Sequence, residues 1–185
     1  MEFTMKPVSG SPEELGRIKA LYQEAFPPIE RLYFPLLMKK ADGVHAEQWS
    51  FFEDDTWVGW AYVIRGGDLA YLFFFAMDSA RRGRGCGHRA LSLLREHYSR
   101  CRFFLAMETP DPRAKNQEQR LRRKRFYESC GLTRLPWHIL ETVMCYSMMG
   151  TPCAMDPREY RAMFRGYLGP FLTWLMRMRI VPDPE

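Results

Sequence analysis

The chain has 185 residues, enough for one domain with an appendage and an ordinary hydrophobic core, but too few for two full catalytic domains. Hydrophobic residues make up 46% of the chain and aromatic residues 15%, which excludes a disordered protein and predicts a globular one. The net charge is +5, and seven basic residues against one Glu lie in residues 113–125, a local basicity that favours an anionic ligand over general coating of nucleic acid.

Two helices are predicted at the start of the chain. Ser11 offers an N-cap, Pro12 suits the first helical position and Glu14 completes a capping box, and the apolar residues that follow fall on one helical face. Residues 29–40 predict a second, short helix that is kinked or broken at Pro35.

Three strands are predicted next. Residues 45–52 and 57–64 are runs of aromatic and β-branched residues joined by a charged turn, which indicates an antiparallel hairpin. Residues 69–77 form a continuous apolar run, as is typical of a strand covered on both faces.

A βαβ unit and further elements follow. After a glycine-rich turn, apolar residues at helical spacing predict a helix, and residues 101–107 predict a strand that runs parallel to strand 69–77 by right-handed crossover. Residues 116–130 predict a charged helix that Gly131 ends, and residues 132–149 supply one or two last strands interrupted at Pro136. The order of elements predicts an α+β fold with a mixed sheet.

The tail has its own periodicity. From Tyr160 to Met176 apolar residues repeat at helical spacing, and Gly169 with Pro170 should kink or split this helix. We therefore expect one domain at residues 1–149 and a C-terminal helical extension at residues 150–185. The apolar stripe of the extension should pack on the domain or at a homodimer interface.

The glycine-rich turn, RRGRGCGHRAL, suggests a ligand. A strand that ends in such a turn and opens a helix presents backbone N–H groups and the positive end of the helix dipole, which together suit phosphate oxygens. Residues 82–87 fit the pattern R-x-x-G-x-G, whose arginines add charged donors.

Two other nucleotide motifs compete for the same turn. Gly85, Gly87 and Ala90 satisfy the dinucleotide fingerprint G-x-G-x-x-A, with Glu108 near the place of an acidic ribose partner. The context argues against a Rossmann half, because a hairpin precedes the turn and only one more helix clearly follows before the tail. A P-loop is excluded because no G-K-[ST] occurs.

A second motif, RFYESCGL at residues 125–132, lies one βα unit after the glycine turn. With YLFFFAM and RRGRGCG before it, the chain resembles the GNAT family of acetyl-CoA-dependent N-acetyltransferases. These stretches are similar to the family's fourth strand, its R-x-x-G-x-G turn and its F-Y-x-x-x-G-[FL] helix end. The resemblance covers residues 1–149 and implies a mixed, mostly antiparallel sheet flanked by helices.

The resemblance also implies how acetyl-CoA binds. Backbone amides of Phe75, Ala76 and Met77 would bond the pantetheine arm as an added strand. The pyrophosphate would lie on the turn, on the amides of Arg82, Gly83, Arg84, Gly85, Cys86, Gly87 and His88.

The start of helix 116–130 departs from the family pattern. Many members carry Asn seven residues before the motif tyrosine, where this chain has Arg120, and Asn116 is the nearest asparagine that could contact CoA. The basic residues from Arg120 to Arg125 either reach the CoA phosphates or form a solvated face, and the solvated face is favoured.

The resemblance implies direct attack of an amine on the thioester. Tyr127 is the candidate acid for the departing thiolate, because a phenol stays protonated at neutral pH. Glu108 is the candidate acceptor of the amine proton, directly or through water, and Glu141 is a weaker alternative. Cys130 is expected to be a small buried residue and not a nucleophile, so no covalent enzyme intermediate is expected.

The function expected is N-acetylation of a primary amine, on a small molecule or a peptide. A non-catalytic acyl-CoA-binding or interaction module of the same fold is the alternative. A ribosome- or tRNA-associated protein ranks lowest, because no RNA-binding motif accompanies the basic run, and no nucleic-acid partner is expected.

The remaining residue patterns predict absences. The four histidines lack metal-ligand spacing and no HExxH motif occurs, so no metal is expected. Five cysteines without a CxxC pair, and no signal peptide, predict a reducing cytoplasm. The longest uncharged runs are shorter than the roughly 20 residues of a membrane span, so no membrane span is expected. No membrane partner is expected either, and surface attachment of the tail is kept as a minor alternative.

Overall fold

A computed structural model describes residues 2–81, 83–141, 144–152, 155–175 and 179–182. The helices are α1 (Pro12–Ala25), α2 (Phe34–Lys40), α3 (Cys86–His97), α4 (Gln117–Ser129), α5 (Pro157–Leu168) and α6 (Pro170–Leu175). The strands are β1 (Phe3–Pro7), β2 (Ala46–Glu53), β3 (Thr56–Gly66), β4 (Leu69–Met77), β5 (Arg102–Glu108), β6 (Thr133–Glu141), β7 (Met144–Gly150) and β8 (Arg179–Pro182). They form one sheet in the order β1-β2-β3-β4-β5-β7-β6-β8.

The sheet is mostly antiparallel, which confirms the expected α+β class. Antiparallel pairing is found for β1 with β2, β2 with β3, β5 with β7, and β6 with both β7 and β8. The chain forms two compact units, one of residues 1–65 and 72–97 and the other of residues 66–71 and 98–185. No helix in the described part of the chain is both long enough and apolar enough to cross a membrane.

In the first unit, the predicted hairpin is confirmed as β2 and β3. Asp54 in its two-residue turn has a φ of 52°, the left-handed conformation that tight hairpin turns need. Strand β1 was not predicted. It pairs along β2 from Phe3 opposite Glu53 to Pro7 opposite Trp49, and it is the first strand in the sheet order.

The cap of α1 forms as predicted, but the capping box does not. The Ser11 side chain accepts a hydrogen bond from the Glu14 amide at 3.3 Å. The Glu14 carboxylate instead accepts hydrogen bonds from Ser9 and, at 2.6 Å, from the buried Ser50 hydroxyl of β2. The side chain expected to close a local motif therefore joins α1 to the sheet.

The helix predicted over residues 29–40 is broken and not kinked, but the break comes before Pro35 and not at it. Residues Pro28–Glu30 form a single 3-10 turn, and α2 begins separately at Phe34. Pro35 lies in the first turn of α2, where a helix has no acceptor for a backbone N–H, so the proline is tolerated without a kink.

In the second unit, β6 and β7 are the last strands expected of residues 132–149. The pairing register of β6 with β7 shifts between Arg134 and His138, around Pro136. Proline lacks the N–H that a regular ladder uses, which explains why the interruption falls there.

The tail contains helices split at Gly169, as predicted, but it is not helical throughout, because it ends in β8 paired with β6. The buried face of α5 packs within the chain: the Tyr160 ring lies 5.6 Å from that of Tyr71 and 6.1 Å from that of Phe104. The Arg102 guanidinium, at the start of β5, also connects two carboxylates: it hydrogen-bonds Asp68 and, at 2.8 Å, Glu159 of α5. The Arg102 hydrogen bonds lower the pKa of Glu159 to about 2.

The contact of α5 with Gly66, at the end of β3, leaves no room for a side chain. A Cβ at Gly66 would lie 2.7 Å from Cβ and Cγ of Met163. Gly66→Ala is therefore expected to destabilise the protein by about 1–3 kcal/mol through overpacking, measured by urea denaturation.

Gly16→Ala is the matched control for that substitution. Gly16 lies inside α1 with no atom within 4 Å of an added Cβ, so alanine is expected to stabilise the protein by roughly 0.5–1 kcal/mol. Equal effects of the two substitutions would contradict close packing of α5 on Gly66.

Candidate active site

The glycine turn links β4 to α3 in the first unit. Gly83 and Gly85 have φ angles of 78° and 76°, which L side chains rarely adopt. The Arg89 amide donates to the Gly85 carbonyl at 3.1 Å, so the helical hydrogen bonds begin at Gly85. The amides of Cys86 and Gly87 therefore fall in the first helical turn, where no acceptor exists within the helix. Arg82 lies outside the described residues.

The space over this turn suits an anion. A Cβ added at Gly83 or Gly85 would meet no atom within 4 Å, so a ligand can approach the backbone closely. Cys86 is buried, whereas Arg84 and His88 are exposed. Arg84 makes no ion pair within the described residues, so its charge is available to a phosphate.

The end of β4 has two backbone edges. The Asp78 amide donates to the Val58 carbonyl of β3 at 2.9 Å. The N–H and C=O groups of one strand residue point to one edge of the strand, and those of the next residue point to the other edge. The N–H and C=O of Ala76 therefore point toward β3, like the amide of Asp78. The backbone groups of Phe75 and Met77 point to the other edge.

In the second unit, Glu108 ends β5 within a polar network. Its carboxylate lies 2.9 Å from the Arg120 guanidinium and 3.3 Å from that of Arg123. The Asn116 amide group lies 3.2 Å from both Glu108 oxygens, and its carbonyl accepts from Arg120 at 2.8 Å. Arg120 also donates to the Thr109 carbonyl at 2.8 Å. The network fixes the end of β5 to the start of α4.

The hydrogen bonds around Glu108 bear on the expectation that the basic residues of α4 form a solvated face. Of the basic residues from Arg120 to Arg125, Arg122 and Arg125 are exposed, as a solvated face requires. The Arg120 side chain is only 14% exposed and is ion-paired, so the solvated-face prediction was wrong for this residue. The sequence could not show this, because the partner of Arg120 lies in the preceding strand.

Tyr127 lies in the last turn of α4, which ends in a Schellman motif. The Leu132 amide donates to the Tyr127 carbonyl at 3.1 Å and the Gly131 amide donates to that of Glu128 at 2.9 Å, while Gly131 has a φ of 77°. Leu132 is buried, which anchors the helix end. The FYESCGL motif thus fixes the position of the tyrosine through backbone capping.

The Tyr127 phenol is half-buried and protonated at neutral pH. Burial raises the pKa of Tyr127 to about 12, and the nearby Arg123 charge only partly opposes this. Among the described residues, no group accepts a hydrogen bond from its hydroxyl. The hydroxyl can therefore donate to a ligand without breaking an existing bond.

A polar cluster that the sequence did not indicate adjoins Glu108. The Thr109 hydroxyl lies 3.0 Å from that of Ser147, and His138 Nδ1 lies 3.2 Å from Cys145 Sγ. The Arg134 guanidinium lies 3.0 Å from His138 Nε2, and because a guanidinium can only donate, His138 carries its proton on Nδ1. Strand register alone brings these residues together, so no sequence motif could have found them. The side chain of Glu141, the weaker candidate base, lies outside the described residues.

A family model described as the acetyltransferase (GNAT) family matches residues 15–132 of the chain. This range contains both motifs, the glycine turn and the tyrosine-bearing helix end. No curated protein matches the chain.

Solved structures share the fold at low sequence identity. A protein from Bacteroides thetaiotaomicron, described as a GNAT-family acetyltransferase, is 22% identical with a TM-score of 0.70 over 92% of this chain and 98% of its own. The ribosomal-protein-S18-alanine N-acetyltransferase from Escherichia coli is 16% identical, with a TM-score of 0.62 over 84% of this chain and 96% of its own. A Bacillus subtilis acetyltransferase in complex with CoA is 9% identical, with a TM-score of 0.59 over 83% and 100%.

Proposed function

The chain belongs to the GNAT family of acetyltransferases, and from that premise we propose that it transfers the acetyl group of acetyl-CoA to a primary amine by direct attack. Acetyl-CoA is the cosubstrate that family membership implies. The observation that carries the proposal is the glycine turn, in which two left-handed glycines open α3 beneath unobstructed space. A phosphate oxygen at that place would meet helix amides and the positive end of the helix dipole.

Each part of CoA has a proposed partner in the chain. The amides of Cys86 and Gly87, with Arg84, would donate to the pyrophosphate. The backbone groups of Phe75 and Met77 would bond the pantetheine arm, because those of Ala76 share the β3 side of the strand. Asn116 would contact CoA only by exchanging a bond, since its amide group already bonds Glu108 and Arg120.

Tyr127 is the proposed general acid. It would donate its phenolic proton to the sulfur as the amine displaces CoA. Two observations support this role: its pKa of about 12 keeps the proton in place at neutral pH, and its hydroxyl has no acceptor among the described residues.

Glu108 is the proposed acceptor of the amine proton, directly or through water. Its oxygens accept hydrogen bonds from Arg120 and Asn116, so proton transfer requires one of these bonds to be exchanged. If Glu108 is the base, Glu108→Gln should lower kcat/KM for the amine by roughly 10² to 10⁴, the usual contribution of general base catalysis.

The variant must first be shown to fold and to bind CoA, because glutamine leaves two arginines without a charged partner. A kcat/KM within about threefold of the unmodified protein in folded Glu108→Gln would assign proton removal to another group. Calorimetric CoA affinity and thermal unfolding serve as the controls.

The acceptor amine requires a screen. Release of CoA should be followed with small amines, polyamines, amino acids, aminoglycosides and peptide N-termini. Saturable release with one of them supports the proposal. CoA binding without release for any acceptor would favour a non-catalytic acyl-CoA-binding module, and failure to bind CoA would reject both. The cytoplasmic location expected from composition stays a prediction.

A further inference from the structure

Glu53, the last residue of β2, contacts arginines at both ends of the glycine turn. Its carboxylate lies 2.8 Å from the Arg89 guanidinium and 3.7 Å from that of Arg81, with a different oxygen facing each. The Glu53 side chain is only 4% exposed. We propose that Glu53 is a positioning residue that holds the turn, residues 81–89, in the conformation that binds the CoA pyrophosphate. This inference rests on the proposed function.

The turn needs such a restraint because of its glycines. Gly83 and Gly85 take left-handed φ angles, and glycine populates both signs of φ with similar ease, so an unrestrained turn would sample many conformations. Among the described residues, no atom lies within 4 Å of a Cβ built on either glycine, so the ends of the turn are the places to fix it. A turn that is already ordered loses less conformational entropy when it binds a ligand.

The burial of Glu53 makes its contacts with the arginines persistent. A buried carboxylate is costly unless it is paired with a positive charge. Movement of either arginine away from Glu53 would therefore cost free energy. The Arg89 guanidinium also lies 4.5 Å from the centre of the Phe3 ring, a cation–π contact from β1. The β1–β2 register places Phe3 directly opposite Glu53, so the sheet supports Arg89 from two sides.

The three described arginines of RRGRGCGHR, which exclude Arg82, therefore divide into two kinds. Arg81 and Arg89 are neutralised by Glu53 and serve the shape of the turn, whereas Arg84 is exposed and faces no such partner within the described residues. The sequence pattern R-x-x-G-x-G assigns Arg82 and Arg84 to the phosphate and does not say what Arg81 and Arg89 do.

The test compares two acetyl donors. Acetyl-CoA carries the pyrophosphate, whereas S-acetyl-N-acetylcysteamine keeps the thioester and lacks it. In Glu53→Gln, kcat/KM for acetyl-CoA and the calorimetric CoA affinity should fall by roughly 5- to 30-fold, the range expected for ordering about one turn residue. The kcat/KM for S-acetyl-N-acetylcysteamine, with the acceptor found by the screen, should stay within about twofold.

Two further variants make the result interpretable. Glu47→Gln removes another β2 carboxylate, paired with Arg65 at 3.2 Å, and should leave both donors unaffected. Arg81→Gln removes one end of the restraint while Glu53 keeps its contact with Arg89. It should show a smaller selective loss, and it replaces Glu53→Gln if that variant does not fold.

The possible results separate this inference from the proposed function. Unchanged CoA affinity in folded Glu53→Gln and Arg81→Gln overturns the inference and leaves the proposed function standing. Equal losses with both donors also overturn it, because they indicate a general structural role. If the unmodified protein does not bind CoA, both ideas fail.

Discussion

Tyr127→Phe is expected to lower kcat by roughly 10² to 10⁴, the usual contribution of general acid catalysis, with little change in acetyl-CoA affinity. The substitution removes one hydroxyl and leaves the ring to pack beside Phe126, whose ring lies 5.2 Å away. Because the hydroxyl has no acceptor within the described residues, its loss breaks no hydrogen bond there. The measurement is kcat with an acceptor from the screen, together with CoA affinity on the same sample.

The stability of this variant is the internal control. A hydroxyl without a protein acceptor contributes little to folding, so the free energy of unfolding should change by no more than about 0.5 kcal/mol. Under that condition, a turnover within about threefold of the unmodified protein would show that water or another group protonates the thiolate. Tyr127 would then be a packing residue at a helix end.

Gly85→Glu is expected to abolish acetyl-CoA binding in calorimetry. The new side chain would occupy the open space over the turn and place a negative charge where the pyrophosphate is proposed to lie. It would also impose a positive φ on a residue with a Cβ, at a cost of about 1–2 kcal/mol. The loss of CoA affinity must therefore be distinguished from the loss of stability that this backbone strain causes.

Gly67→Glu supplies that comparison. Gly67 also has a positive φ, 60°, and open space around an added Cβ, but it lies in the hairpin before β4, whereas Gly85 follows the other end of that strand. The two substitutions should destabilise the protein alike, and only Gly85→Glu should lose CoA. Equal CoA affinity in both folded variants would remove the phosphate-binding role of the turn.

Local patterns in the sequence predicted well the elements that depend on nearest neighbours. The Ser11 cap, the β2–β3 hairpin and the end of α4 at Gly131 all form. The strands β1 and β8 were missed because they have only five and four residues, too few to show the alternation of apolar and polar residues that predicts a strand. Each is specified by a partner strand far away in the chain.

The two motifs of the sequence, and the βα unit that separates them, determined by themselves the family and hence the cosubstrate. Both motifs depend on backbone geometry, because left-handed glycines shape the glycine turn and the end of α4, and such geometry can be predicted from a few adjacent residues.

Only the tertiary structure decided which arginines form ion pairs within the fold and which stay exposed. Arg89 pairs with Glu53 across 36 positions of sequence, and Arg120 pairs with Glu108 across 12. Attraction between charges depends on their distance in space and not on their separation in the sequence. A run of basic residues therefore does not show which carboxylates it pairs with. Sheet register and helix packing bring one buried carboxylate to each pair of arginines, and burial then makes that pairing obligatory.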